Sequence, residues 1–113
     1  MTFNQQFSTL YPQHSLNAGN VSELRQSLAA AINNSQAPEI LVNLENVELI
    51  DSAAMVALAQ ATRLAQNKGK YLGLCCANSQ ISMVLELTQL ERFVNVFTTE
   101  SEFFGRNYQL MAA

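Results

Sequence analysis

Charged side chains are scarce in this chain. Asp, Glu, Lys and Arg make up 13% of its 113 residues, six basic against nine acidic, for a formal charge of −3 and a pI near 4.9. No Lys/Arg cluster exists to neutralise a phosphate backbone, which argues against a nucleic-acid partner. Histidine occurs once, as His14. A serine nucleophile would need a base, and no Gly-x-Ser-x-Gly elbow, Walker loop, dinucleotide fingerprint or group of metal ligands accompanies that single imidazole. The expectation is a non-enzyme with no cofactor and no metal, in which His14 is a solvated loop residue. No apolar stretch approaches bilayer length, and residues 1–20 have neither a basic start nor an apolar core segment. Direct membrane insertion and a signal peptide are therefore not expected, and the expected compartment is the cytoplasm.

Cysteine is rare too. Cys75 and Cys76 are adjacent in a strand-like run, where neighbouring side chains point to opposite faces. Such a pair makes a poor disulfide and a poor metal site, and reads as two small apolar residues kept reduced.

What the chain does have is apolar surface to bury. Hydrophobic residues make up 49%, which with so little charge specifies a folded globule. A chain of this length suffices for one domain that buries roughly two-thirds of its extended surface. With no internal repeat or low-complexity linker, the reading is one domain over residues 1–113 with its core at about 7–104.

The organising stretch is LVNLENVELIDSAAMVAL, Leu41 to Leu58. It opens with an apolar run suited to a buried strand. A short polar link through Glu45, Asn46 and Glu48 follows, then Leu49 and Ile50. Asp51-Ser52 comes next, directly before an alanine-rich helical pattern. Their side-chain oxygens suit a helix start, where the first N–H groups have no partner in the helix. Ser52 should thus lie at the mouth of a helix N-terminus, where added negative charge is stabilised by on the order of 1 kcal/mol.

The flanking pattern alternates. Residues 7–11 are a weak strand that Pro12 ends, and Gln13 to Gly19 reads as a loop. A helix over Asn20–Asn34 follows, with Asn20 and Glu23 as a capping box and Val21, Leu24, Leu28 and Ile32 facing a sheet. Glu39–Leu44 is the central strand and Asp51–Lys68 the second helix, which Gly69 stops. In that helix Met55, Leu58, Ala59, Thr62 and Ala65 or Leu64 form the packed face. Tyr71–Ala77 is a strand, Asn78-Ser79 cap a third helix, and Val94–Phe97 is a short last strand. Thr99 with Glu102 caps a terminal helix, which Gly105 weakens or ends. Strands alternating with helices predict an α/β domain with one sheet and helices packed on it.

The strand ILVNL, the motif DSAAMVAL, the strand YLGLCCA, a helix near SMVLELTQL and the ending VNVFTTESEFF together resemble the STAS domain of anti-sigma factor antagonists, over about Phe7 to Phe104. The resemblance implies a sheet of about four strands, mixed but mostly parallel, with about four helices and a first edge strand that is short or missing. That open edge makes a homodimer conceivable. In relatives a partner kinase phosphorylates the Ser of the Asp-Ser pair, which points here to Ser52, supported by Asp51. Relatives often read Asp-Ser-Ser/Thr-Gly. Ala53 and Ala54 replace the last two residues, leaving Ser52 the only phosphoacceptor in the motif. The acidic residue that relatives carry in the preceding loop is also absent between His14 and Asn17.

The function so implied is partner switching. The unmodified protein binds a serine-kinase/anti-sigma-type protein through Ser15, Leu16, Asn17, Gly19, Ala53, Ala54 and Met55, together with the exposed side of the second helix. Phosphorylation of Ser52 releases it, and a PP2C-type phosphatase resets it. The alternative is a constitutive STAS scaffold subunit, for instance of a lipid ABC transporter complex.

Overall fold

The protein is described by a computed structural model covering residues 7–34 and 36–112. Four strands form the main sheet: β1 (Phe7–Leu10), β3 (Glu39–Asn43), β5 (Tyr71–Cys75) and β6 (Val96–Phe97). They lie side by side in that order, all parallel. Parallel neighbours need crossovers, and α1 (Val21–Asn33), α2 (Ser52–Asn67) and α3 (Ser79–Thr88) supply them. Residues before Phe7, where a short or missing first strand was expected, lie outside those described.

The strand pleat divides the core in two. Ile40, Val42, Leu72 and Leu74 face one side and join Leu24, Leu28, Ile32, Met55, Leu58 and Ala65 of α1 and α2. Burying one such Leu or Ile stabilises the fold by roughly 1.5–3 kcal/mol, so this layer dominates. Leu41 and Cys75 face the other side, under Phe103 of α4 (Glu100–Ala112). With both faces covered, β3 reads as a continuous apolar run. Its buried Asn43 donates from Nδ2 to a Glu100 oxygen at 2.7 Å, while its Oδ1 accepts the Glu45 amide at 2.9 Å.

Gly73 makes room for the aromatic layer beneath α4. A Cβ there would lie 2.7 Å from the Phe103 ring and 3.1 Å from Phe97. Phe97 and Phe103 meet edge to face at 5.3 Å between centroids. Arg106 stacks 3.8 Å over Tyr71 and reaches Glu39 at 3.0 Å, tying α4 across β3 and β5.

Several expectations need correction. The polar link after β3 contains a strand, β4 (Val47–Ile50), and the loop before α1 contains another, β2 (His14–Leu16). These pair with each other as a separate parallel ribbon. His14 is exposed as expected, but it lies on this strand at φ 66°. Asn20 does not cap α1 with its side chain, which is turned back into the preceding loop. Gly105 does not end α4, which runs on to Ala112. A 3₁₀ turn (Leu90–Phe93) precedes β6.

Both cysteines are free, as expected, but they do not point to opposite faces. β5 ends at Cys75, and Cys76 takes φ 65°, which swings its thiol round to within 3.3 Å of the Cys75 sulfur.

The other caps stand as read. Asn78 accepts the Ile81 amide at 2.8 Å, and Thr99 Oγ1 accepts the Glu102 amide at 3.1 Å. The Glu102 carboxylate reaches back to the Thr98 amide, one residue further than a standard capping box. Gly69, at φ 73°, follows the end of α2.

Candidate functional site

The site grows out of the β2–β4 ribbon. After β3, the Val47 amide turns back to the Leu44 carbonyl at 3.0 Å, which starts β4. β4 registers His14 against Val47 and Leu16 against Ile50. The Asp51 amide then extends the pairing to the Leu16 carbonyl at 3.0 Å. This ladder carries the loop after β2 alongside the residue that opens α2.

Asp51 fastens the two together. One carboxylate oxygen accepts the Ala54 amide at 3.0 Å, capping α2, and the other accepts the Ala18 amide at 2.9 Å. The Ala54 bond first, then the Ala18 bond, hold the Asp51 carboxyl below its ordinary pKa, because both amides favour the charged form.

The loop has its own fasteners. Asn20 Oδ1 accepts the Asn17 amide at 2.9 Å and its Nδ2 donates to the Ser15 carbonyl at 2.8 Å. Asn17 Oδ1 accepts the Gly19 amide at 2.8 Å. A Cβ on Gly19 would press against that same oxygen at 3.1 Å, so the smallest residue fits the turn.

Ser52 is the first residue of α2 and is exposed. Its hydroxyl has no hydrogen-bond partner among the described residues. The hydroxyl is thus free for chemistry, at the positive end of a 16-residue helix. A phosphoryl group placed there would meet N–H groups that have no partner in the helix. No such help exists at an arbitrary surface serine.

The remaining candidates divide by burial. Gly19 is exposed, and Ser15, Asn17 and Ala53 are half-buried beside it. Leu16, Ala54 and Met55 are not surface residues: they are 6%, 0% and 1% exposed and belong to the main core. Ala54 and Met55 are turned inward by α2 and Leu16 by β2, so their side chains face the core rather than the surface expected of them. They support the surface from below.

Two further positions on this surface are exposed, Ala18 in the loop and Val56 on α2. Val56 lies one helical turn after Ser52, on the same face. The i, i+4 spacing from Ser52 was the available signal. That face continues past Gln60 to Arg63, along a groove of about 420 Å³ closed on its other side by Arg92 and Phe93.

Among the described residues no group of three or more His, Cys, Asp or Glu could hold a metal ion. None of their helices is long and apolar enough to cross a membrane.

Comparison with known proteins agrees with this fold. A candidate anti-sigma factor antagonist from Thermotoga neapolitana is 28% identical over 93 residues, 82% of each chain. The crystal structure of a candidate anti-sigma factor antagonist from Thermotoga maritima superposes with a TM-score of 0.82 at 24% identity, covering 93% of this chain and 90% of that one. The anti-sigma factor antagonist SpoIIAA in its unphosphorylated form superposes at 0.74 and 16% identity, over 96% of this chain and 94% of its own. SpoIIAA from Bacillus in its phosphorylated form gives 0.62 at 18% identity, over 94% and 95%. The STAS domain profile matches residues 1–103. With that match over nearly the whole chain, on a parallel sheet whose second crossover helix opens at Asp51-Ser52, the protein belongs to the STAS domain family.

Proposed function

We propose that this protein is a partner-switching regulator. Its unmodified form binds a serine-kinase/anti-sigma-type protein, and phosphorylation of Ser52 releases it. The observation that carries the reading is the Ser52 hydroxyl itself, exposed, free of internal hydrogen bonds and placed at a helix N-terminus. The docking surface runs from Gly19 and Ala18 across Ser52 to Val56 and the outer face of α2. Asp51 is the supporting residue, because it fixes both the loop and the helix end.

The switch is electrostatic. Unmodified, this surface offers a small neutral hydroxyl among short side chains. A phosphoryl group adds roughly −1.5 to −2 charge. Inside an interface that charge must be stripped of water and set against any acidic group of the partner, a cost of several kcal/mol. Every 1.4 kcal/mol is about tenfold in affinity, so release follows without a change of fold. A PP2C-type phosphatase would restore the neutral state, and the cytoplasm is where such partners would be met.

Incubation with a serine kinase from the same cells, followed by peptide mass spectrometry, tests the modification. The reading expects one phosphoryl group on the peptide containing Ser52 and none on a Ser52→Ala variant. A phosphoryl group on any other residue would contradict it. Binding that is indifferent to Ser52→Asp would favour the constitutive scaffold.

A further inference from the structure

We propose that Cys75 and Cys76 form a redox-active vicinal dithiol, which a peroxide oxidises to a disulfide spanning the single peptide unit between them. The two sulfurs already lie 3.3 Å apart, with the Cys76 thiol donating to Cys75. Regular strand geometry would have sent them to opposite faces. The departure is made by the backbone of Cys76, at φ 65°, a region that L side chains rarely adopt. A non-glycine residue held there marks a place where the surroundings over-determine the conformation. The chain contains no other cysteine, so neither thiol has a competing partner within it.

Access differs between the two. Cys75 is 0% exposed, packed with Leu41 and Phe103 under α4, whereas Cys76 is half-buried. Burial, then the Cys76 hydrogen bond, push the Cys75 thiol up to about 12, which keeps it protonated. Cys76 is therefore the sulfur that a diffusing oxidant reaches.

The Cys76 sulfur attacks one peroxide oxygen and the O–O bond breaks. The other oxygen leaves as water, and Cys76 becomes a sulfenic acid. The Cys75 sulfur then attacks the Cys76 sulfur, the S–O bond breaks, and a second water carries away the Cys75 proton. Two thiols and one hydrogen peroxide give one disulfide and two waters, the peroxide taking up both electrons.

The product is under tension. Neighbouring Cα atoms are about 3.8 Å apart across a trans peptide, short of the roughly 4.4–6.8 Å usual for a disulfide. Strained disulfides are the readily reduced ones. This pair therefore suits a reversible signal rather than a structural staple.

The test uses the full-length protein, reduced and then treated with hydrogen peroxide. Intact and peptide mass spectrometry should show the loss of two hydrogens within the single peptide that contains both cysteines, with no thiol left to alkylate. Dithiothreitol should restore both thiols. A Cys75→Ser variant should stop at a Cys76 sulfenic acid that dimedone traps. Cys75→Ala gives the same readout if the serine variant does not fold. Stepwise gain of oxygen by the wild-type protein without loss of two hydrogens would overturn the proposal. So would a disulfide that joins two chains.

Discussion

The Ala18 amide lies 2.9 Å from the Asp51 carboxylate, so the loop after β2 is fastened to the residue that caps α2. That one side chain makes a single surface from two segments 33 residues apart, and Ser52 stands beside it.

Acid should loosen this surface before it unfolds the protein. The Asp51 pKa is lower in the folded protein than in the unfolded chain, where it is about 3.9. Its contribution to stability is thus present above about pH 4 and is lost as the pH falls through the folded value. The protection of the Ala18 and Ala54 amides against hydrogen exchange, relative to the intrinsic rate at each pH, should fall on acidification. In Asp51→Ala both amides should lack that protection at every pH, and the urea midpoint should lose this part of its acid dependence.

Met55 and Val56 are neighbours with opposite fates, one 1% and the other 40% exposed. Met55→Ala should cost about 2–5 kcal/mol of stability through the cavity it leaves. Partner affinity of the folded fraction should not change. Val56→Asp should leave the unfolding midpoint nearly unmoved and weaken partner binding by roughly tenfold or more, because it buries an unpaired charge in the interface. Urea titration and calorimetry on the two variants separate the effects.

Gly73→Ala should destabilise the protein by about 1–3 kcal/mol, the usual cost of overpacking a core. The added methyl meets the Phe103 ring, which is itself fully buried and cannot swing aside into solvent. Chemical denaturation measures the loss. The variant should still be phosphorylated on Ser52, since the aromatic layer lies on the other face of the sheet from α2.

Alkaline conditions probe the contact between Tyr11, just after β1, and Glu100 at the start of α4. Tyr11 donates to Glu100 at 2.9 Å, and this hydrogen bond raises its pKa above 10.0. The stabilisation is present below about pH 10 and lost as the pH rises through the higher folded value. Tyr11→Phe should remove that alkaline step from the denaturation profile.

The helices were largely legible from their caps. Asp51, Asn78 and Thr99 each carry a short oxygen side chain before an apolar period, and each accepts the amide expected of it. The β2–β4 ribbon was not legible. Val47 and Ile50 are buried while Glu48 and Leu49 are exposed, so β4 lacks the alternation that marks a strand. β2 has three residues and an irregular register.

Asn20 matched the cap pattern, but its side chain satisfies Asn17 and Ser15 instead. Competition of that kind is invisible without the loop's path. Gly105 misled for a different reason. Its cost of about 1 kcal/mol in a helix is outweighed where Phe103 is buried and Arg106 is stacked on Tyr71. Ser52 was legible as a helix-start hydroxyl. Which of its neighbours are exposed was not, because that depends on how α2 is rotated onto the sheet.

Calorimetric titration of one serine-kinase/anti-sigma-type partner with unmodified and Ser52-phosphorylated protein bears most directly on the account. It predicts that the unmodified protein and Ser52→Ala bind alike, and that the phosphorylated form binds at least about a hundredfold more weakly, a difference near 2.7 kcal/mol. Equal affinity of the two forms would contradict it.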